Sequence, residues 1–172
     1  MTTITGTATV TATTAHTEMR QRNPAAVLPK AFAGIGQLLG AVGEGGVPRA
    51  TLELVGLRVS QINGCSACVQ GHVEEARKAG ASDDQMSSVA VWIESPYFDD
   101  DQRVALALAD SLTRMADRSD DPVPDDLWAA VTARYDERQV SALLLQIGTL
   151  NLFNRLNVAV KEQADRPSWM QR

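Results

Sequence analysis

Residues 53–80 read ELVGLRVSQINGCSACVQGHVEEARKAG, and the rest of the chain is best read outward from them. Leu52, Val55, Val59 and Ile62 recur at the three- and four-residue steps of one helix face. Asn63-Gly64 then supplies a helix stop. A second helical pattern opens at Cys65 and runs to Lys78. Cys65, Cys68, Val69, His72, Val73 and Ala76 share one face, and Glu74, Glu75, Arg77 and Lys78 lie on the other. Arg77 and Lys78 in the last turn complement the helix dipole, and Gly80 ends the helix. In this register Cys65 lies one turn before Cys68, and Cys68 one turn before His72. Glu53 stands on the preceding helix, twelve residues before Cys65.

The flanking sequence extends the helical pattern. Upstream, Asn23-Pro24 is a cap followed by Pro in the first turn, and Phe32, Ile35, Leu38, Leu39 and Val42 form a stripe. This predicts a first helix over 24–42, which Pro29 divides if it leaves only a short lead-in before Lys30. Pro48 opens the helix over 49–63. Downstream, Ser82 caps a helix reaching about Ile93, with Asp83 and Asp84 in its first turn. Val104, Ala105, Leu108 and Leu112 mark another over 99–114; residues 115–123 are polar and read as a loop. A short helix over 124–134 precedes a long one over 137–161, capped by Asp136. That last helix is apolar nearly all round apart from Asn151, Asn154, Arg155 and Asn157, so it is expected to be central or covered by a second subunit. No strand series or βαβ rhythm occurs. The expected fold is all-α, a bundle of about seven helices over residues 21–163. Residues 1–20, with His16 solvated among Thr and Ala, read as a flexible tail, and residues 164–172 as a C-terminal tail.

The totals narrow the function. The chain has 172 residues and a formal charge of -5; with no basic stripe, nucleic-acid binding is not expected. No apolar run approaches the ~20 residues of a membrane span, and the Thr-rich N-terminus lacks the pattern of a secretory signal. A cytoplasmic location is expected, where a CxxC pair rests reduced and can cycle. Two cysteines three residues apart close too small a loop to staple a fold. Three readings remain open: inert core thiols; metal ligation by Cys65, Cys68 and His72 with Glu53 as a fourth ligand; and a redox pair. In the redox reading, the helix N-terminus favours thiolate. His72 can accept the proton of Cys68, and Glu53 can orient His72. Cys68 would then attack a hydroperoxide and Cys65 would resolve the sulfenic acid to a disulfide, although the opposite assignment of the two thiols is also chemically sound. A thiol–disulfide oxidoreductase that does not use peroxide and a non-enzymatic redox sensor are the rival functions. Gln61 and Asn63 are candidates for positioning Glu53 or lining a pocket. Asn151, Asn154 and Arg155 are candidates for lining the pocket or bonding across a subunit interface, with structural hydrogen bonds the preferred reading, and Trp92 and Tyr97 are candidates for core or interface positions.

Glu53, eleven intervening residues, Cys65-x-x-Cys68, three residues and His72 resemble the core of the AhpD-like alkylhydroperoxidase family, within the carboxymuconolactone decarboxylase superfamily. The similarity extends through RVSQINGCSAC, WIESPYFDDDQRVALALADSLT (92–113) and GTLNLFNRLNVAVK (148–161). The resemblance implies an all-helical subunit that assembles into homo-oligomers, and a cofactor-free peroxidase centre at Glu53, Cys65, Cys68 and His72. It also implies Cys68 as the peroxidatic thiol, a small organic hydroperoxide as substrate, and a lipoylated or thioredoxin-like dithiol protein as reductant. Well-studied members carry a histidine between the cysteines; Ala67 stands there in this chain, which removes any proton shuttle through that position.

Overall fold

The structure is a computed structural model that describes residues 18–117 and 120–168. The expectations for residues 1–17, His16 included, lie outside the described part. Eight α-helices and two short 3-10 turns are present among the described residues, with no strand. They are α1 (Pro24–Val27), α2 (Pro29–Gly43), α3 (Arg49–Ile62), α4 (Ser66–Lys78), α5 (Asp83–Ser88), α6 (Asp100–Thr113), α7 (Asp125–Arg134) and α8 (Glu137–Val160). The 3-10 turns cover Val89–Val91, where the fourth expected helix gives out early, and Met115–Asp117.

The eighth helix arises at Pro29. A proline disfavours helical geometry in the residue before it, and Leu28 is extended at φ -109°, ψ 91°. Elsewhere the helix starts are set by side chains. Ser82 with Gln85, Asp99 with Gln102, and Asp136 with Gln139 each form a reciprocal capping box at α5, α6 and α8. Gly64 and Gly80 take positive φ, 68° and 90°, and so end α3 and α4.

Helix α3 is the axis of the molecule. On one side Leu52, Val55 and Val59 pack with Ala105, Leu108, Val131, Leu143 and Ile147 of α6, α7 and α8. On the other, Leu54 and Leu57 pack with Ala76, Met86, Val89, Phe98 and Leu106. Each fully buried aliphatic side chain contributes roughly 1.5–3 kcal/mol of transfer free energy. The two halves are pinned by Arg58, whose guanidinium pairs with Asp110 and donates to the Ala90 carbonyl at 3.1 Å. Trp92 donates to the same carboxylate at 3.3 Å, while Tyr97 is half exposed.

The enclosed helix is α3, whereas α8 keeps Leu144, Leu145, Leu152 and Val158 exposed, so of the two expectations for α8, central or covered by a second subunit, the central one is corrected. In α2 only Val42 is buried, and the rest of its stripe stands out of the core, with Phe32, Leu38 and Leu39 exposed. Helix α2 packs against α8 and meets α1, and among the described residues these contacts leave the rest of its stripe uncovered. The chain beyond α8 is anchored as far as Ser168, which is buried and donates through its backbone N and Oγ to the Glu162 carboxylate at 2.7 and 2.6 Å.

Candidate active site

The turn between α3 and α4 fixes both sulfurs. Positive φ at Gly64 lets the chain reverse, and the Cys65 amide donates back to the Ser60 carbonyl at 3.0 Å. Cys65 is therefore the N-cap of α4, and its Sγ accepts the Cys68 amide at 3.3 Å. The two cysteines are joined as a disulfide, with Cα atoms 5.3 Å apart. Both are buried. From α8, Asn157 donates its side-chain amide to Cys68 Sγ at 3.1 Å.

Beside the sulfurs, α3 and α4 present a buried carboxylate and an imidazole to each other. Glu53 is 3% exposed and accepts His72 Nδ1 at 2.7 Å through Oε2. A buried carboxylate without partners would carry a heavy desolvation cost. Its other oxygen is held by Arg49, one turn back, at 2.6 Å. Because the carboxylate accepts, Nδ1 carries the hydrogen, and the neutral ring keeps its lone pair on Nε2. The pair fits only because residue 56 is glycine: a Cβ there would lie 2.5 Å from His72 Cε1 and 2.6 Å from Nδ1. At the rim, Glu75 lies 4.0 Å from Arg49 and 2.7 Å from Lys78. The hydrogen bond from Lys78 holds the Glu75 carboxyl below its ordinary range.

Two cavities flank the disulfide. One, of about 490 Å³, is lined by Cys68, Glu53, His72, Arg49 and Asn157, with an apolar wall from Leu39, Val42, Leu150 and Phe153. The other, of about 570 Å³, reaches Cys65 and is lined by Ser66, Gln70, Lys161, Glu162 and Gln163. Gln70, Asn157, Ala164 and Asp165 border both, so the two cavities adjoin, one reaching Cys65 and the other Cys68.

Glu53, Cys68 and His72 line one cavity, and Cys65 is bonded to Cys68. Asn151 and Asn154 make structural hydrogen bonds. Asn151 accepts from Asn63 at 3.0 Å and donates to Thr113 at 3.3 Å, and Asn154 pairs with Ser60 at 3.1 Å. Arg155 donates to Asn151. Gln61 does not reach Glu53; its buried Oε1 has no hydrogen-bond partner in the structure. Among the described residues no three His, Cys, Asp or Glu side chains converge as a metal site.

The sequence reading passed over Asn157, Gly56 and Arg49. One signal was available: Asn151, Asn154 and Asn157 recur every third residue inside an apolar helix, a polar stripe that needs partners once buried.

The profile described as "CMD: Carboxymuconolactone decarboxylase family" matches residues 28–111. The uncharacterized protein YdfG of Bacillus subtilis is 34% identical over 118 residues, 69% of this chain and 78% of its own length. The chain belongs to the carboxymuconolactone decarboxylase family. It shares its fold with a solved protein of unknown function from Agrobacterium tumefaciens, ATU0492, which carries the name "Putative Antioxidant Defence Protein AhpD". The TM-score is 0.77 at 32% identity, over 85% of this chain and 97% of that one. The debrominase Bmp8 superposes with a TM-score of 0.70 at 16% identity, over 80% and 72% of the two chains, and shows the shared fold alone. The family matches account for the AhpD-like helical bundle read from the sequence.

Proposed function

We propose that this member of the family is a thiol peroxidase that reduces small organic hydroperoxides through Cys65 and Cys68. The observation that carries the reading is the junction itself: a bonded CxxC pair whose second sulfur shares a partly apolar cavity with the hydrogen-bonded pair of buried Glu53 and half-buried His72. In the reduced protein, His72 takes the Cys68 proton, its imidazolium stabilised by Glu53. The Cys68 thiolate attacks the terminal oxygen of ROOH and the O–O bond breaks. The leaving alkoxide takes a proton and departs as ROH, and Cys68 becomes a sulfenic acid. Cys65 attacks that sulfur, water leaves, and the disulfide forms. A dithiol protein, lipoylated or thioredoxin-like, returns the pair to thiols by two exchange steps and is itself oxidised to its disulfide. The adjoining cavity that reaches Cys65 suits this exchange, since it leads to the resolving sulfur.

No cofactor enters this cycle, and a cytoplasmic setting supplies the reductant it needs. Among the described residues no helix is long and apolar enough to cross a membrane. The exposed apolar faces of α2 and α8 fit burial against a second copy of the chain. A thiol–disulfide oxidoreductase without peroxide chemistry is the second reading, favoured by Ala67 in place of an imidazole between the cysteines.

The test is to mix reduced protein with tert-butyl hydroperoxide and follow thiol loss. The parent is expected to form the disulfide rapidly, and Cys65→Ser to accumulate a trappable sulfenic acid. Cys68→Ser and His72→Ala should slow to the rate of an ordinary thiol. Consumption by Cys68→Ser at the parent rate would reverse the two roles. A parent no faster than a simple thiol would leave only the exchange reading.

A further inference from the structure

The polar contacts around Cys68 Sγ form a line whose direction is dictated from its far end. The Ala25 backbone N–H can only donate, and it donates to Asn23 Oδ1 at 2.8 Å, capping α1. The Asn23 side chain must therefore turn its NH2 outward, where it meets Asn157 Oδ1 at 2.5 Å. With its oxygen so engaged, Asn157 must turn its own NH2 toward Cys68 Sγ, 3.1 Å away. A flipped Asn23 would set its NH2 against the Ala25 N–H and its oxygen against that of Asn157, and a flipped Asn157 would set NH2 against NH2, so the donor facing the sulfur is fixed. Asn23 is anchored in turn: its backbone N–H donates to Ser168 Oγ at 3.1 Å, and that hydroxyl donates to Glu162 Oε2. Asn23, Asn157, Ser168 and Glu162 are all buried. Burying four polar side chains in one line needs a return beyond helix capping.

We propose that Asn157 is a further catalytic residue, whose side-chain amide stabilises the Cys68 thiolate, and that Asn23 is the positioning residue that aims it. The inference rests on the reading of Cys68 as the reacting thiol. A disulfide sulfur is a weak acceptor and a thiolate a strong one, so the contact strengthens on reduction. The two sulfurs are also differentiated. Cys65 is served by the Cys68 backbone amide, which every helix start supplies, whereas Cys68 is served by a side chain 89 residues away. The charged groups that share the Cys68 cavity are Arg49, Glu53, His72, Glu74, Glu75 and Asp165; Lys161 and Glu162 lie on the Cys65 side. Several of these carry negative charge, which opposes thiolate formation, so a directed neutral donor at the sulfur has work to perform that the cavity's net charge does not.

The test uses Cys65→Ser protein, in which Cys68 is the sole thiol because the chain has two cysteines. The rate of alkylation by iodoacetamide against pH gives the Cys68 pKa directly, with no peroxide present. Asn157→Leu, which keeps the branched shape and removes the donor, is expected to raise that pKa by about one unit, cutting the rate roughly tenfold below the transition. The limiting rate at high pH should stay unchanged. Asn23→Ala, which leaves Asn157 present but unaimed, should shift the curve the same way by a smaller amount. Asn157→Ser, with a short donor and little demand on packing, serves if Asn157→Leu does not fold. Curves that superpose on that of the parent in folded Asn157 variants would overturn the proposal. A shifted curve in a protein whose parent consumes no peroxide would uphold Asn157 as the thiolate's partner while sinking the peroxidase reading.

Discussion

Gly56→Ala is the perturbation that isolates the Glu53–His72 pair from every other feature of the site. Residue 56 is buried in the middle of α3 with no side chain of its own. The alanine methyl would sit 2.5 Å from His72 Cε1, where ordinary contact begins near 3.4 Å. The helix backbone is held by two packed cores, so the imidazole, at the end of a side chain and partly exposed to the cavity, is what gives way. A retreat of roughly 1 Å stretches the 2.7 Å bond to Glu53 past useful hydrogen-bond length. Loss of a hydrogen bond to a charged group costs about 1.5–3 kcal/mol. Alanine in place of glycine within a helix returns roughly 0.5–1 kcal/mol. The net destabilisation is therefore roughly 1–2 kcal/mol, a fall in Tm of only a few degrees for a domain of this size. A positioned general base contributes typically ~10²–10⁴ in rate, so peroxide reduction near neutral pH should fall at least ~100-fold while the fold persists. Stopped-flow thiol oxidation measures the rate, and circular dichroism with thermal melting measures the fold. A folded Gly56→Ala protein that reacts at the parent rate would refute the claim that the pair must be held as it stands.

Two further outcomes concern stability and assembly. Asp110→Ala leaves Arg58 and the Trp92 indole without their shared carboxylate at the seam between the two cores. Chemical denaturation should show a loss of roughly 2–4 kcal/mol; a change below about 0.5 kcal/mol, typical of an inert surface site, would mean the seam does not depend on this group. Phe32→Glu combined with Leu38→Glu charges the exposed face of α2 away from the cavity lining, and light scattering should report a smaller assembly than the parent forms. An unchanged mass would place the interface elsewhere.

Much of the fold was legible because its boundaries are local. Capping boxes at Ser82, Asp99 and Asp136, and the left-handed glycines at 64 and 80, act within a few residues and can be read as written. The four-residue motif was legible for a similar reason, since α3, the turn at Gly64 and α4 form one continuous hairpin. Burial was less so. The stripe of α2 is an apolar pattern like any other, and sequence periodicity says that a face seeks cover without saying whether the chain supplies it. Asn157 and Asn23 were read as a polar interruption and a helix cap. Their pairing with the sulfur depends on a meeting of segments 134 residues apart, for which no local pattern exists. Gly56 carries no local signal in the sequence, and only the imidazole packed over it reveals what its missing side chain makes room for.

The anchoring of Asn23 by Ser168 also governs when the site exists. The α3–α4 hairpin is built from near neighbours and can form early, bringing Cys65, Cys68 and His72 together. The contact that fixes Asn23 spans 145 residues and closes one of the longest loops available to the chain, an entropic cost met only once the intervening helices have docked. Until then Cys68 lacks the oriented amide it has in the native state. A chain whose two ends have not yet docked would thus carry its cysteine pair in an unfinished setting, and quenched alkylation during refolding would time the completion of the sulfur environment.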